Sequence, residues 1–336
     1  MKSKDLTQSA DLTRHGRGTG ALRTRRPEYV DFLPPCNNAC PAGENIQAWL
    51  AHAQDGNYEA AWRELVRNNP LPSIHGRVCY HPCEDVCNRA FTDSAVSIHA
   101  VERFLGDLAL EKDWQFDKPT TTTGRKILVV GAGPSGLSAA YHLTRMGHEV
   151  EIREAGPVAG GMIHFGIPAY RMPRDELQAE INRIENLGVK ITLNHRVEDV
   201  LKEKEEGGFD AIFVAVGAHI SKKIDIPNRD AGKILDAVSF LSQAKDGEPP
   251  KLGRRVAIYG GGNTAMDAAR TAKRLGVDSA MIIYRRDRSS MPAHDFEADE
   301  AMEEGVLINW LRTIKEIDKS TFKVEVMELD ENGRPQ

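Results

Sequence analysis

The sequence predicts an α/β protein in which two Rossmann-like units stand in tandem behind a small α-helical segment. Three observations lead there. An apolar strand runs into a glycine-rich turn at Lys126–Gly136, a second passage of the same kind occurs at Arg255–Ala265, and the stretch before both has helical periodicity and holds all five cysteines.

With 336 residues, 40% hydrophobic and 28% charged, the chain can bury real cores and divide into two or three domains. A net charge of −5 supplies no global basic field, which removes support for nucleic-acid binding by phosphate neutralisation. Arg14, Arg17, Arg23, Arg25 and Arg26 give residues 1–28 the character of a basic surface arm, and no apolar run follows them as in a signal peptide. No stretch approaches the roughly 18 apolar residues of a membrane span, so a cytoplasmic protein is expected.

The helical segment is expected over 29–118. Ile46, Trp49, Leu50 and Ala53, then Tyr58, Ala61, Trp62 and Leu65, recur at helical spacing, as do Ile98, Val101, Phe104, Leu105 and Leu108 within Ser97–Lys112. Asn68–Pro72 reads as a loop, and the four threonines of Pro119–Gly124 as a linker. Five cysteines confined to Cys36–Cys87 cannot all pair within one chain, and their clustering favours metal over disulfides. Cys36 and Cys40 are four apart, as are Cys79, Cys83 and Cys87; such spacing aligns thiols on a helix or wraps a cluster in a loop. Iron–sulfur ligation is favoured. Structural zinc and inert buried thiols are the alternatives.

The first Rossmann-like unit is expected over 125–250. Strand Lys126–Val130 leads into Gly131-Ala132-Gly133-Pro134-Ser135-Gly136 and a helix to Met146. Gly131 permits the tight turn, Gly133 lets backbone approach a pyrophosphate, and Gly136 lets helix and strand pack closely. Glu154 ends the next strand, Glu149–Arg153, where a carboxylate accepts from ribose hydroxyls. These glycines alone do not choose between FAD and NAD.

The second unit is expected over 251–336. Strand Arg255–Tyr259 runs into Gly260, Gly261, Gly262, Asn263 and Thr264 at the start of a helix, with Ala265 in place of a third glycine. Its next strand, Ala280–Tyr284, ends in Arg285 and Arg286 rather than an acid. A carboxylate there would repel a 2′-phosphate and two guanidiniums would bind one, so NADPH is favoured, with NADH the alternative. The competing reading has both arginines solvated or ion-paired.

CNNACPAG (Cys36–Gly43), GRVCYHPCEDVC (Gly76–Cys87), AGGMIHFGIPAYRMP (Ala159–Pro173), FDAIFVAVGA (Phe209–Ala218) and GGGNTAMDAART (Gly260–Thr271) together resemble the glutamate synthase small-subunit family. The cysteine segments also resemble the N-terminal part of dihydropyrimidine dehydrogenase. This resemblance implies FAD in the first unit, with Gly161, Met162, Arg171, Val197 and Gly217 around it and the turn Gly166-Ile167-Pro168 near the isoalloxazine. It implies Asp267 as part of the second site. It further implies a [4Fe-4S] cluster held by Cys40, Cys79, Cys83 and a non-cysteine ligand at Glu102, which read without the family is equally a surface helix residue.

Cys36 and Cys87 would belong to a second cluster. The family's two further cysteines are replaced here by Tyr29–Pro35, so one cluster is the expectation. Family members continue past a β-rich stretch, here Val306–Leu329, to complete the FAD unit, and the chain accordingly reads as truncated at Gln336, with poor FAD loading expected. The implied function is electron transfer from NADPH through FAD to iron–sulfur and a separate electron-accepting or catalytic subunit, with no catalytic acid or base. His164, Asp295 and Glu297 are left without a role. The reductase part of a pyrimidine-reducing system and a non-catalytic iron–sulfur and nucleotide-binding module are the alternatives.

Overall fold

The computed structural model describes residues 33–218, 226, 234–245, 249–318 and 321–336. The expected basic arm and the start of the helical segment lie outside them.

Seven short elements build the helical segment: α1 (Pro35–Ala39), α2 (Ile46–Gln54), α3 (Tyr58–Leu65), α4 (Pro72–Val78), α5 (Pro82–Asp85), a 3₁₀ turn (Asn88–Phe91) and α6 (Ile98–Glu111). Of the residues that carry the three- and four-residue spacing, Ile46, Trp49, Ala61, Trp62, Leu65, Ile98 and Leu105 are buried, Leu50, Ala53, Val101 and Leu108 are half-buried, and Tyr58 and Phe104 are exposed. Pro72 does not extend the loop expected over Asn68–Pro72. It opens α4, where the missing N–H of proline costs no helical hydrogen bond. Helices α4 and α6 touch backbone to backbone. A Cβ on Gly76 would stand 2.4 Å from the Arg103 nitrogen, and one on Gly106 2.3 Å from the Ser73 nitrogen.

The first α/β unit consists of β1 (Lys126–Val130), α7 (Pro134–Arg145), β2 (Glu149–Arg153), α8 (Met162–Phe165), α9 (Arg174–Leu187), β3 (Lys190–Thr192), α10 (Val200–Gly207) and β4 (Ala211–Val214). Its strands are parallel in the order β3-β2-β1-β4. Leu128 and Val129 of β1 are fully buried, one on each face, as befits a strand covered on both sides. The strand in FDAIFVAVGA is shorter than the motif: β4 stops at Val214, and Ala215 N–H still reaches the Val130 carbonyl at 2.8 Å.

This unit and the helical segment share one apolar core, in which Trp62 and Phe116 join Leu137 and Tyr141. The Tyr141 hydroxyl donates to the Val66 carbonyl at 2.5 Å. From the other side, the buried Glu180 of α9 accepts from the Ser73 and Ile74 amides at 3.2 and 3.3 Å, capping the start of α4.

The second unit has its own core. It comprises α11 (Ala237–Lys245), β5 (Arg255–Tyr259), α12 (Asn263–Arg274), β6 (Ser279–Ile283), α13 (Asp295–Glu303) and β7 (Leu307–Asn309), with parallel strand order β5-β6-β7. An antiparallel pair follows, β8 (Arg312–Ile317) and β9 (Phe322–Val326). Among the described residues, no helix is long and apolar enough to cross a membrane.

Candidate cofactor sites

In the first unit, β1 passes into α7 through Gly131, whose φ of +105° is closed to side-chain-bearing residues without strain. A Cβ on Gly136 would lie 1.9 Å from the Gly131 carbonyl oxygen, so only glycine fits there. Gly133 faces Gly161, and a Cβ on Gly133 would meet nothing nearer than the Gly161 Cα at 3.9 Å, which leaves bare backbone on both sides of the turn. Pro134 and the exposed Ser135 open α7.

Glu154 stands at the end of β2 as expected, but its carboxylate already accepts two backbone amides, Ala132 and Gly156, each at 2.7 Å. One lone pair on each oxygen remains for a hydroxyl. After α8, the turn Gly166-Ile167-Pro168 is braced by a residue the motif reading passed over. Arg174 donates to the Ile167 and Met172 carbonyls at 2.6 and 2.8 Å. Val197 packs on the small cluster of Leu128, Val130 and Phe209 beneath the strand ends, and Gly217 follows β4 with φ +69°.

In the second unit, Gly261 lies so close to Tyr284 that a Cβ would enter its ring at 2.5 Å, whereas nothing approaches Gly262 within 4 Å. Asn263 and the exposed Thr264 begin α12, with Ala265 buried behind them. Beyond β6, Arg285 is exposed, and the half-buried Arg286 has its Nε enclosed with no hydrogen-bond partner among the described residues. An orphaned guanidinium N–H beside an open glycine turn suits a phosphate oxygen.

Arg171 and Asp267, both expected at cofactors, meet each other. Arg171 Nη1 contacts both Asp267 oxygens at 2.9 Å, and its Nη2 lies 2.5 Å from Glu297, which is 1% exposed. Burial raises the pKa of both acids against the pull of Arg171. This cluster joins the turn after α8 to α12 and α13. Glu297, left unassigned by the sequence, is therefore a tie between units.

Tyr80, between Cys79 and His81, enters the same seam. Its ring stacks on His294 at 3.9 Å and 13°, and its hydroxyl accepts from Asn263 Nδ2 at 2.5 Å. Asn263 Oδ1 accepts the His294 N–H at 3.2 Å, so this side chain is engaged at both ends.

The cysteines do not share a helix face. Cys40 caps α1, Cys79 caps α4, Cys83 lies in α5 and Cys87 precedes the 3₁₀ turn, so the chain wraps them. Burial pushes the thiols of Cys40 and Cys79 up and that of Cys83 up to about 12; Glu102 adds to each shift, Glu44 to those of Cys40 and Cys79, and neighbouring cysteines to those of Cys79 and Cys83. Cys36 is raised by burial with a further contribution from Cys87. The five are free thiols.

Glu102 is no surface residue. It is 7% exposed and accepts from Asn69 Nδ2 at 2.7 Å, and the same amide nitrogen reaches the buried Glu44 at 3.0 Å. Trp49 Nε1 also donates to Glu44 at 3.3 Å. Asn69 is oriented from behind, because its Oδ1 accepts the Leu71 N–H and faces His75 Nδ1 at 2.7 Å. Burial holds the His75 pKa down at about 4, leaving it a neutral donor. Glu44 and Glu102 are both raised by burial. Three thiols and two acids thus converge in a place that disfavours every one of their anions. A cationic iron core would supply the missing positive charge, and thiols beside a carboxylate are donors that suit one.

His81, Glu84 and His99 also bring potential ligand atoms within 4.8 Å of one another. The two imidazoles are stacked at 4.3 Å and 23°, and the Nδ1 atoms of His99 and His81 lie 2.8 and 3.6 Å from the Glu84 carboxylate, so the acid already serves both rings. Glu84 accepts the His99 backbone N–H at 2.8 Å and serves to cap α6.

Residues 125–334 match the pyridine nucleotide-disulphide oxidoreductase family, and residues 32–114 match dihydropyrimidine dehydrogenase domain II, 4Fe-4S cluster. Among curated proteins, the NADP(+)-dependent formate dehydrogenase subunit beta of Moorella thermoacetica is 38% identical over 91% of this chain and 48% of its own length. The NADPH-Fe(3+) oxidoreductase subunit beta of Geobacter sulfurreducens is 38% identical over 83% and 43%. The glutamate synthase [NADPH] small chain of Escherichia coli is 32% identical over 90% of this chain and 72% of the relative. The chain thus spans about half the length of the first two relatives, 48% and 43%. Mycobacterium tuberculosis FprA in complex with NADPH shares the fold at a TM-score of 0.54 and 18% identity, covering 63% of this chain and 66% of that one. A 2-naphthoyl-CoA reductase does so at 0.51 and 20%, covering 79% and 41%.

Proposed function

Because the chain belongs to the pyridine nucleotide-disulphide oxidoreductase family and is homologous over most of its length to a glutamate synthase small chain, we propose that it oxidises NAD(P)H and delivers the electrons, through FAD and an iron–sulfur centre, to a separate electron-accepting subunit. The nest of Cys40, Cys79, Cys83, Glu44 and Glu102 carries the reading. As thiolates and carboxylates these buried groups would need a cation, and the loop that supplies Cys79 touches the second glycine turn through Tyr80. When bound, flavin accepts a hydride from reduced nicotinamide and releases single electrons that iron–sulfur centres carry onward.

This chain's own residues hold and orient these groups. FAD would rest on the amides of Gly131–Gly136, with Glu154 at its ribose, Gly161 and Met162 opposite, the turn Gly166–Pro168 at the ring, and Val197 and Gly217 at the strand ends. Gly260–Gly262, Asn263 and Thr264 would hold the nicotinamide nucleotide, with Arg285 and Arg286 at a 2′-phosphate. Arg171 and Asp267, expected at the cofactors, also join the two units through their ion pair. Cys40, Cys79, Cys83 and Glu102 would ligate a [4Fe-4S] cluster, beside which Cys36 and Cys87 form a separate pair. The relatives are named as subunits or small chains, which supports an acceptor on another polypeptide.

Anaerobically purified protein supplied with FAD should bind flavin, contain iron and sulfide, and reduce a dye with NADPH. Material that binds neither flavin nor iron and leaves NADPH unoxidised would sink the proposal.

A further inference from the structure

Three cofactor-suited segments meet at one side chain. Tyr80 is peptide-bonded to Cys79, its hydroxyl takes the Asn263 amide hydrogen at 2.5 Å, and its ring lies flat on His294 at 3.9 Å. Asn263 is the first residue of α12, directly after the open Gly262, and its other end is fixed by the His294 N–H. Arg171, from the turn after α8, secures α12 through Asp267 and α13 through Glu297. On the far side of Tyr80, the His81 N–H donates to Cys79 Sγ at 3.3 Å from a left-handed backbone with φ +42°. Hydrogen bonds to a cluster sulfur shift its reduction potential.

We propose that Tyr80 is a positioning residue that couples occupancy of the Gly260–Asn263 turn to the electronic state of a cluster held at Cys79. A phosphate settling on the amides of α12 adjusts Asn263. The phenol transmits that adjustment to the Cys79–His81 loop, where the N–H···S contact changes. By reciprocity, the redox state of the cluster alters nucleotide affinity by the same factor. The inference rests on the cofactor assignment above.

The test uses the full chain with its cluster assembled anaerobically. The probe is 2′-phospho-ADP-ribose, which has the pyrophosphate and 2′-phosphate but no nicotinamide to reduce. Its Kd is measured with the cluster oxidised and reduced, and the electron paramagnetic resonance spectrum of the reduced cluster is recorded with and without it. The two Kd values should differ by about fivefold, equal to a potential shift of about 40 mV for a one-electron centre. The spectrum should change on binding.

Tyr80→Phe keeps the stacked ring and loses the hydroxyl. It should retain iron and bind the probe, with the difference collapsed and the spectrum unmoved. Asn263→Ala removes the same bond from the opposite side and should also abolish the coupling. A fivefold difference that survives in either variant would overturn the proposal, as would wild-type protein that binds cluster and probe without coupling. Wild-type protein lacking either the cluster or probe binding would instead remove the cofactor assignment beneath it.

Discussion

The two α/β units are built on one plan and differ in how each closes its glycine turn. In the first, the acid that ends β2 folds back onto the turn, accepting the Ala132 and Gly156 amides, and Gly136 is jammed against the Gly131 carbonyl. In the second, the strand is followed by two arginines, of which Arg286 has its Nε without a hydrogen-bond partner among the described residues, Ala265 stands in the third glycine's place, and Gly262 has open space around it. The first turn is tied down by its own protein. The second has open space at Gly262 and a cationic edge suited to an anion. A turn that keeps a cofactor through many cycles and one that exchanges a substrate nucleotide would differ in this sense.

Substitutions can break the contrast. Gly136→Ala should cost about 3 kcal/mol by forcing the helix off the strand, whereas Gly262→Ala should change stability by less than about 0.5 kcal/mol; urea denaturation of both variants reads the difference. Arg286→Gln should weaken NADP+ binding about tenfold by removing a charge-assisted bond, while NAD+ affinity stays within about twofold. Equal losses for both nucleotides in calorimetric titration would deny the arginine edge its selectivity. Glu154→Gln cannot accept with both side-chain ends, so one turn amide loses its partner; FAD affinity should fall about fivefold, measured by flavin fluorescence.

A pH dependence concerns how the first unit is tied to the helical segment. The first relies on Glu180, whose pKa burial holds up at about 8 from the ordinary 4.5. Its contribution is complete below about 4.5 and is lost as pH rises through about 8. Stability should decline across that window by less than about 1 kcal/mol per pH unit. Glu180→Gln should flatten the slope in urea titrations at successive pH values.

What could be read from sequence was what depends on neighbours along the chain. Both strand–turn–helix passages are local, so Lys126–Gly136 and Arg255–Ala265 were legible nearly to the residue. Trp49, Trp62 and Leu105 were legible as core for the same reason, since periodicity marks a face. Pro72 misled because a proline reads alike as a loop breaker or a helix opener. Glu44, Asn69 and Arg174 were invisible because their roles depend on groups brought together only by folding; Asn69 and Glu102 are 33 positions apart. Arg171 and Asp267 stood out through their motifs, but their mutual pairing, across 96 positions, did not. Glu102 illustrates the limit most sharply: the sequence left ligand and surface residue in balance, and its burial removes the second.

The close approach of α4 and α6, at Gly76 against Arg103 and at Gly106 against Ser73, has a mechanical consequence. Cys79 ends one of those helices and Glu102 rides on the other, and with main chain pressed on main chain there is no soft side-chain layer to yield between them. As the proposed cluster ligands, Cys79 and Glu102 would keep their separation whether an electron is present or absent. Little nuclear rearrangement would then accompany each transfer, which would favour rapid passage over a small driving force.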